Sequence, residues 1–339
     1  MKILVVKRDK IGDLLLATPM LAHLRTSLPD AELHLLASEY NAWVVEGNPD
    51  LDRLWVYRRV RTGRRVRLGA ALERVAQDFR LRRERYDWVI VANGAESPRA
   101  IARGLAIRGR RTVACCADAT RYRGISDPLP VDAARHEMDS LLGMLKPLGV
   151  DPPRERLYPR YELPRPAAEF AARWLSERGL APRKYLVLGL GARRPKKQPT
   201  RDQVLRWSEH CKRAWALDTV FMWTPGRPDD PLYPGDDPLA QAVLEARAPH
   251  IHPFRGPILE ALGLVWSARA SVFPDSGLMH FAAASPGGVL GLFAEADVSP
   301  GPAQWAPRGP KADWLEAAKS VEELPDALVY ERLARLASP

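Results

Sequence analysis

The amino-acid sequence predicts an α/β protein made of two doubly wound, Rossmann-like domains. Short apolar runs alternate with segments of helical periodicity along nearly the whole chain, which is the pattern of parallel sheets wrapped by crossover helices. At 339 residues the chain exceeds one average domain. A proline-rich, poorly periodic segment at residues 151–166 is the expected linker. We therefore expect one domain at residues 1–160, a second at 161–320 and a helical tail at 321–339.

The first half contains five apolar runs of the kind that form buried parallel strands. They lie near residues 2–7, 32–37, 53–57, 87–92 and 111–116. Thr18 followed by Pro19 predicts the N-cap and first residue of a helix after the first strand. This half is therefore expected to form one sheet with helices in its connections.

The second half repeats the alternation, with strand-like runs near residues 185–190, 219–223, 270–273 and 289–293. Thr200 predicts the N-cap of a helix that runs to Trp215. The tail has apolar residues at helical spacing, which predicts a helix with one buried face. These residues are Leu324, Leu328, Leu333 and Leu336.

Two polar segments, each directly after a predicted strand, carry the candidate chemistry. Residues 7–13 (KRDKIGD) follow the first strand, and residues 274–280 (PDSGLMH) follow the strand at 270–273. In open α/β sheets, ligands bind outside the carboxyl ends of the strands. We expect the first segment to supply an acidic group, Asp13. We expect Ser276 and the helix that follows it to supply N–H groups for an anion such as a phosphate.

Together these segments resemble glycosyltransferase family 9, the ADP-heptose:lipopolysaccharide heptosyltransferases and their relatives. The matching motifs follow in order along the chain: residues 2–6 with 12–13, 18–21, 28–33, 136–137, 191–192 with Lys196 and Pro199, 275–284, and Phe293 with Asp297. The resemblance implies a GT-B fold, in which two Rossmann-like domains face a cleft. It also implies that the tail packs back on the N-terminal domain.

The resemblance further implies an inverting, metal-independent glycosyltransferase that moves heptose from ADP-heptose to a lipopolysaccharide inner-core acceptor. Asp13 matches the catalytic aspartate, the general base for the acceptor hydroxyl; the alternative is that it only caps a helix. Lys196 matches the lysine that neutralises the leaving diphosphate, with Lys197 as the alternative phosphate contact. The expected donor-binding residues are Gly12, Gly191, Lys197, Trp223, Asp275, Ser276, Gly277 and His280.

Some motifs depart from the family pattern and leave the substrate open. Gln198 stands where the family has tryptophan, and residues 293–297 keep only the terminal Phe293 and Asp297 of their motif. One alternative is a family 9-like enzyme with another nucleotide-sugar donor or a protein or capsule acceptor. The others are an NAD-type dehydrogenase and a non-catalytic nucleotide-binding module. The first strand lacks the Gly-x-Gly-x-x-Gly fingerprint, which argues against dinucleotide binding.

The positive charge is concentrated in the first half of the chain. Residues 1–150 contain 26 Lys and Arg against 18 Asp and Glu, and residues 53–111 contain 17 arginines against 5 acids. This cluster predicts a surface for an anionic glycolipid acceptor or for anionic lipid headgroups; the alternative is an ordinary solvated surface. Arg58, Arg61 and Arg64 are the candidate acceptor-binding residues. No nucleic-acid-binding signature accompanies the arginines, so nucleic acid is not expected as a partner.

The three cysteines, at positions 115, 116 and 211, offer neither metal-ligand spacing nor an even disulfide framework. We expect a reducing compartment and neither cofactor nor metal. No run approaches the roughly 18 apolar residues of a membrane span, and the first residues form a strand instead of a signal peptide. The expected location is cytoplasmic, at most peripheral on the cytoplasmic face of the inner membrane.

Overall fold

A computed structural model of the chain describes residues 1–62, 65–66, 68–192, 194–230, 234–295 and 301–337; the side chains of residues 61–68 are not among them. The chain divides into two compact units, Met1–Arg160 and Tyr161–Pro339. The division falls within the proline-rich segment. Within the described residues, no helix is both long and apolar enough to cross a bilayer.

The first unit is built around a parallel sheet. Its described strands are β1 (Lys2–Val6), β2 (Glu32–Ser38), β3 (Arg53–Tyr57), β4 (Arg61–Thr62), β5 (Arg65–Val66), β6 (Trp88–Val91), β7 (Arg111–Cys115) and β8 (Asp127–Leu129). Six of them form the sheet in the order β3-β2-β1-β6-β7-β8, while β4 and β5 pair separately as a short antiparallel ladder. The five predicted strands are confirmed, and β4, β5 and β8 are additions.

Helices occupy the connections of the first unit. They are α1 (Ile11–Leu15), α2 (Thr18–Ser27), α3 (Leu68–Arg83), α4 (Pro98–Leu105) and α5 (Glu137–Gly143), with 3-10 turns at Ala42–Val45, Ala119–Arg121 and Lys146–Leu148. Gly12 and Asp13 lie inside the short helix α1. One local prediction is corrected. The N-cap of α2 is Ala17, because the Thr18 hydroxyl instead donates to the Leu15 carbonyl at 2.8 Å.

The second unit repeats the architecture. Its described strands are β9 (Tyr185–Gly189), β10 (Asp218–Met222), β11 (Ile251–Phe254), β12 (Ala270–Pro274), β13 (Val289–Phe293) and β14 (Ala312–Glu316). They form a parallel sheet in the order β11-β10-β9-β12-β13-β14. Leaving out the β4-β5 ladder, both sheets have the strand order 3-2-1-4-5-6 of doubly wound nucleotide-binding folds. The order reverses between β1 and β6 in the first unit and between β9 and β12 in the second.

The helices of the second unit pack on both faces of its sheet. They are α6 (Arg165–Ser176), α7 (Arg201–Trp215), α8 (Asp237–Leu244), α9 (Ile258–Ser267), α10 (Gly277–Ala284), α11 (Pro302–Trp305) and α12 (Asp326–Ala337), with 3-10 turns at Pro195–Lys197 and Val321–Glu323. Thr200 caps α7 as predicted: its hydroxyl accepts from the Gln203 amide, and the Gln203 side chain accepts from the Thr200 amide. This reciprocal pair is a capping box.

Two hydrophobic cores lie on opposite faces of the second sheet, because successive side chains of a strand alternate between faces. Leu186 and Leu188 of β9 belong to one core, and Tyr185 and Val187 belong to the other. The predicted tail helix is present as α12. Its buried residues pack in the first of these cores, with Trp207 of α7. The expected packing of the tail on the N-terminal domain stays a prediction. The second unit needs this apolar face to complete its own core.

Candidate functional site

A fully buried lysine lies directly after β1, at the point where the order of the first sheet reverses. The Lys7 ammonium lies 3.0 Å from Glu137 Oε1 and 3.4 Å from Asp9 Oδ2. Both Lys7 and Glu137 are almost completely shielded from solvent. Burial lowers the pKa of Lys7, but the two carboxylates more than offset this effect and hold the pKa above its ordinary value. The side chain is therefore a fixed cation.

The partners of Lys7 are themselves held by the loop after β6. Gly94 donates its backbone N–H to both carboxylate oxygens of Glu137, at 3.3 and 3.2 Å. A Cβ on Gly94 would lie 2.5 Å from Glu137 Oε2, so the close approach requires glycine. The Asn93 side-chain amide donates to Asp9, and its Oδ1 is buried without a partner among the described residues. We call Lys7, Asp9, Asn93 and Glu137 the Lys7 cluster.

Asp13 lies in the first turn of α1. The charges of the Lys7 cluster act on its carboxylate, although no hydrogen bond joins the two among the described residues. Its carboxylate accepts from the Lys10 backbone N–H at 3.1 Å and keeps part of its surface exposed. Burial raises the pKa of Asp13 to about 6; Lys7 opposes this rise, while Asp9 and Glu137 add to it. A carboxylate with a pKa near the working pH can take up and release a proton, as a general base must. Gly12, beside it, is buried.

In the second unit, the loop after β9 and the loop after β12 meet where the strand order reverses. Lys197 is almost fully buried, and its ammonium donates to Asp275 Oδ2 at 2.7 Å. Lys196, which the family pattern matches, is exposed. The structure therefore brings Lys197, and not Lys196, to the residues that precede α10. The 3-10 turn at Pro195–Lys197 produces this difference, because it turns adjacent side chains in different directions.

Ser276 and Gly277 begin helix α10, as the sequence predicts. The Ser276 hydroxyl is buried without a hydrogen-bond partner in the described part of the chain, and it does not cap the helix. A buried polar atom left unpaired costs about 1–3 kcal/mol, which a ligand can recover. The first amides of a helix have no intrahelical acceptor and face an anion favourably. His280, one turn later, is buried with its ring centroid 6.4 Å from that of Trp305.

A further set of hydrogen bonds fixes the neighbouring loops. Gln198, at the family's tryptophan position, donates to Asp236 Oδ1 at 2.5 Å and to the Ala192 carbonyl at 3.0 Å. Burial raises the pKa of Asp236, although hydrogen bonds from Thr224 and Gln198 oppose this rise. The glutamine thus joins the loop after β9 to the loop after β10.

Two of the expected donor-binding residues border these loops. Trp223 donates its indole N–H to Asp237 Oδ1 at 2.8 Å, which fixes the ring at the end of β10. Gly191 is partly exposed, and a Cβ there would lie 3.3 Å from Thr224 Oγ1. Asp297, the last residue of the family motif at residues 293–297, lies outside the described residues.

The predicted acceptor-binding arginines are only partly described. Arg58 is exposed and lies 3.2 Å from Glu73 and 3.7 Å from Glu39. The backbone of Arg61 forms part of β4, but its side chain is outside the described atoms, and Arg64 lies outside the described residues altogether. Whether these arginines bind an acceptor stays a prediction.

One group in the described residues has the composition of a cation site: Glu32, His34 and Glu84, at the opposite end of the first sheet. The Lys2 ammonium already lies 3.1 Å from Glu32 and 2.7 Å from Glu84. The carboxylates are therefore neutralised by a cation of the chain itself.

Comparison with solved structures identifies the architecture. A glycosyl transferase of family 9 from Veillonella parvula DSM 2008 is 19% identical with a TM-score of 0.79, and the match covers 99% of this chain and 97% of that chain. E. coli ADP-heptose lps heptosyltransferase II is 17% identical with a TM-score of 0.73, and the match covers 99% of this chain and 98% of that chain. E. coli heptosyltransferase WaaC with ADP is 17% identical with a TM-score of 0.72, and the match covers 99% of this chain and 100% of that chain.

The chain has the GT-B fold of these enzymes. The structural similarity confirms the family 9 resemblance at the level of the fold. No protein-family model matches the chain, and no curated protein matches its sequence.

Sequence reasoning missed Lys7 and Glu137 as site residues. Lys7 directly follows four buried apolar residues, which is an unusual place for a surface lysine and was the available signal. The neighbouring His136 caps α5, because its Nδ1 accepts from the Met138 amide at 3.2 Å, while the Glu137 carboxylate accepts from the Lys7 ammonium. Asp9 also pairs with Lys7 and belongs to the Lys7 cluster.

Proposed function

We propose that this protein is a glycosyltransferase of the family 9 type that uses a nucleoside diphosphate sugar and inverts the anomeric centre. One observation carries the proposal. The loops at the reversal point of each sheet carry a group suited to one half of the proposed reaction: Asp13 in the first unit, and Lys197 with Ser276 in the second. Ligands of doubly wound sheets bind at such points.

Asp13 is the proposed general base. The acceptor hydroxyl oxygen attacks the anomeric carbon of the donor sugar as its proton passes to the Asp13 carboxylate. A pKa of about 6 leaves most of the Asp13 population ionised at neutral pH and still basic enough to accept this proton. The cation of Lys7 is proposed to keep that pKa from rising further, because its charge favours the ionised carboxylate.

The second unit is proposed to hold the leaving group. As the bond between the sugar and the diphosphate breaks, negative charge grows on the departing phosphate oxygens. The first amides of α10, the Ser276 hydroxyl and the Lys197 ammonium are donors that suit this charge. Asp275 is assigned to orienting Lys197, because a carboxylate would repel phosphate directly. These donors stabilise the leaving group without a divalent cation, so we expect activity to persist in EDTA.

The proposed donor is ADP-heptose and the proposed acceptor is an anionic glycolipid, the lipopolysaccharide inner core. The support is the similarity in fold to heptosyltransferases, one of them solved with ADP, together with the basic first unit. The alternative is another nucleotide sugar or a protein or capsule acceptor, which Gln198 in place of the family's tryptophan favours. We place the enzyme in the cytoplasm, with peripheral contact to the inner membrane where its acceptor is anchored.

Mass spectrometry of the product decides between these possibilities. The protein is incubated with ADP-heptose and inner-core acceptors, and in parallel with other nucleoside diphosphate sugars. A mass increase of one heptose supports the leading proposal, and transfer from another donor supports the alternative. Calorimetric binding of a nucleoside diphosphate without transfer from any donor would instead favour a non-catalytic binding module.

A further inference from the structure

Helix α3 presents a row of apolar side chains to solvent. Leu72, Val75 and Phe79 are 74%, 55% and 61% exposed, more than any other large apolar side chain in the described part of the chain. Their spacing of three and four residues places them on one face of the helix. We call these three residues the α3 face. Single exposed apolar residues are common on protein surfaces, but a row of three on one helix is not.

The opposite side of the helix anchors it to the first unit. Leu81 is completely buried in the core. The Gln77 side chain donates to the Val56 carbonyl at 2.8 Å, and Asp78 pairs with the buried Arg103. The helix is thus held against the first unit by Leu81, Gln77 and Asp78, and the α3 face on its other side is exposed to solvent.

Positive charge surrounds the α3 face. Arg80 and Arg83 are exposed, and neither forms an ion pair with any residue that the structure describes. The Arg82 guanidinium lies 5.8 Å from the centre of the Phe79 ring. Glu73, the exposed acid of the helix, is paired with Arg58 at 3.2 Å. The surface is therefore apolar in the centre and cationic at its rim.

We propose that the α3 face is a docking surface for an anionic phospholipid bilayer, in which the helix lies flat in the headgroup region. An amphipathic helix with arginines beside exposed leucine and phenylalanine has the composition of interfacial membrane helices. Arginines attract the acidic headgroups, and the apolar side chains enter the acyl boundary. Three side chains cover far less than the roughly 800 Å² per partner of a stable protein interface, which disfavours a second copy of this chain as the occupant.

This inference deepens the peripheral membrane contact of the proposed function and rests on it, but its test measures binding instead of transfer. The full-length protein is sedimented with phosphatidylcholine vesicles and with vesicles that also contain phosphatidylglycerol. We expect binding to the second kind only, weakened by salt. The variant Leu72→Gln with Phe79→Gln should reduce the partition coefficient by about tenfold or more, as should Arg80→Gln with Arg83→Gln.

The matched control is Leu259→Gln, which removes an exposed apolar side chain from the second unit. It should bind vesicles as the wild type does. Thermal unfolding of each variant checks that binding is not lost through unfolding. Transfer from a nucleotide sugar to a water-soluble acceptor should be unchanged in the Leu72 and Phe79 variant, so a failure of docking and a failure of the proposed reaction give different results.

Three results would overturn the proposal. Wild-type protein that stays in the supernatant with anionic vesicles at low salt has no bilayer docking surface. Equal binding by the wild type and by the Leu72 and Phe79 variant would show that another surface of the protein contacts the bilayer. Light scattering that shows a dimer in the wild type and a monomer in that variant assigns the α3 face to a second copy of the chain.

Discussion

Replacing Asp13 with asparagine should stabilise the first unit at neutral pH while it removes the proposed base. The folded-state pKa of Asp13 is about 6, against an ordinary value of 3.8. The folded protein therefore holds this proton more tightly than the unfolded chain does. Its stabilising effect is fully present below pH 3.8 and is lost as the pH rises through about 6. Near neutral pH the ionised Asp13 is thus a net cost to the fold.

The size of that cost follows from the shift. About two pKa units correspond to about 3 kcal/mol, and we reduce this to about 1–2 kcal/mol because part of the carboxylate is exposed to water. Asparagine keeps the size and can still accept from the Lys10 backbone N–H. For a unit of this size, the variant should unfold about 2–8 °C higher than the wild type at about pH 7.5. At about pH 4 the two proteins should unfold at nearly the same temperature.

The assay is thermal unfolding of both proteins at the two pH values, with turnover measured on the same preparations. Turnover should fall by roughly 100-fold or more while nucleotide affinity changes little. Asp9→Asn is the matched control: Asp9 pairs with the buried Lys7, so its loss should destabilise the unit by about 1–3 kcal/mol. Equal stability of wild type and Asp13→Asn at neutral pH, or a gain that does not depend on pH, would refute the reasoning. Normal turnover would refute the base assignment.

Three further predictions concern the neighbouring charges. Glu137→Gln should lower the unfolding free energy by about 3 kcal/mol in urea titrations, because it leaves the Lys7 cation with one carboxylate. The same variant should move the acid limb of the pH–rate profile to lower pH, since the Glu137 charge raises the pKa of Asp13. Gly94→Ala should cost about 1–3 kcal/mol by overpacking against Glu137, and a silent substitution would contradict the observed contact. Lys197→Met should weaken nucleoside diphosphate binding about tenfold or more in calorimetry, and Lys196→Met should weaken it by less than about threefold. The reverse order would assign the phosphate contact to Lys196.

Within the two six-stranded sheets, the strands that sequence analysis missed share one position in the fold. β8, β11 and β14 are all edge strands of their sheets. An edge strand needs fewer apolar residues, because less of it is buried, and it tolerates proline, which β8 and β11 both contain. Central strands such as β1 and β9 are buried on both faces and therefore produce the continuous apolar runs that the sequence analysis recognised.

The tail helix illustrates a different limit. Its leucine spacing predicted the helix and its buried face, which are properties of one segment. The structure shows that the core of the second unit buries that face, while the contact with the N-terminal domain that the family resemblance implies stays a prediction. Periodicity reports that a face is buried and carries no information about what buries it.

By itself, the amino-acid sequence determined the α/β class, the alternation of central strands and helices, and the placement of Asp13 and Ser276 after strands, because these depend on local periodicity and chain order. Only the tertiary structure decided which charges are buried. Lys7 and Glu137 are 130 residues apart and meet inside the first unit, while Lys197 turns inward beside an exposed Lys196. Burial sets the pKa and the partners of a charged group, and it arises from segments that are distant in the chain, so adjacent lysines with the same local sequence can differ completely in chemistry.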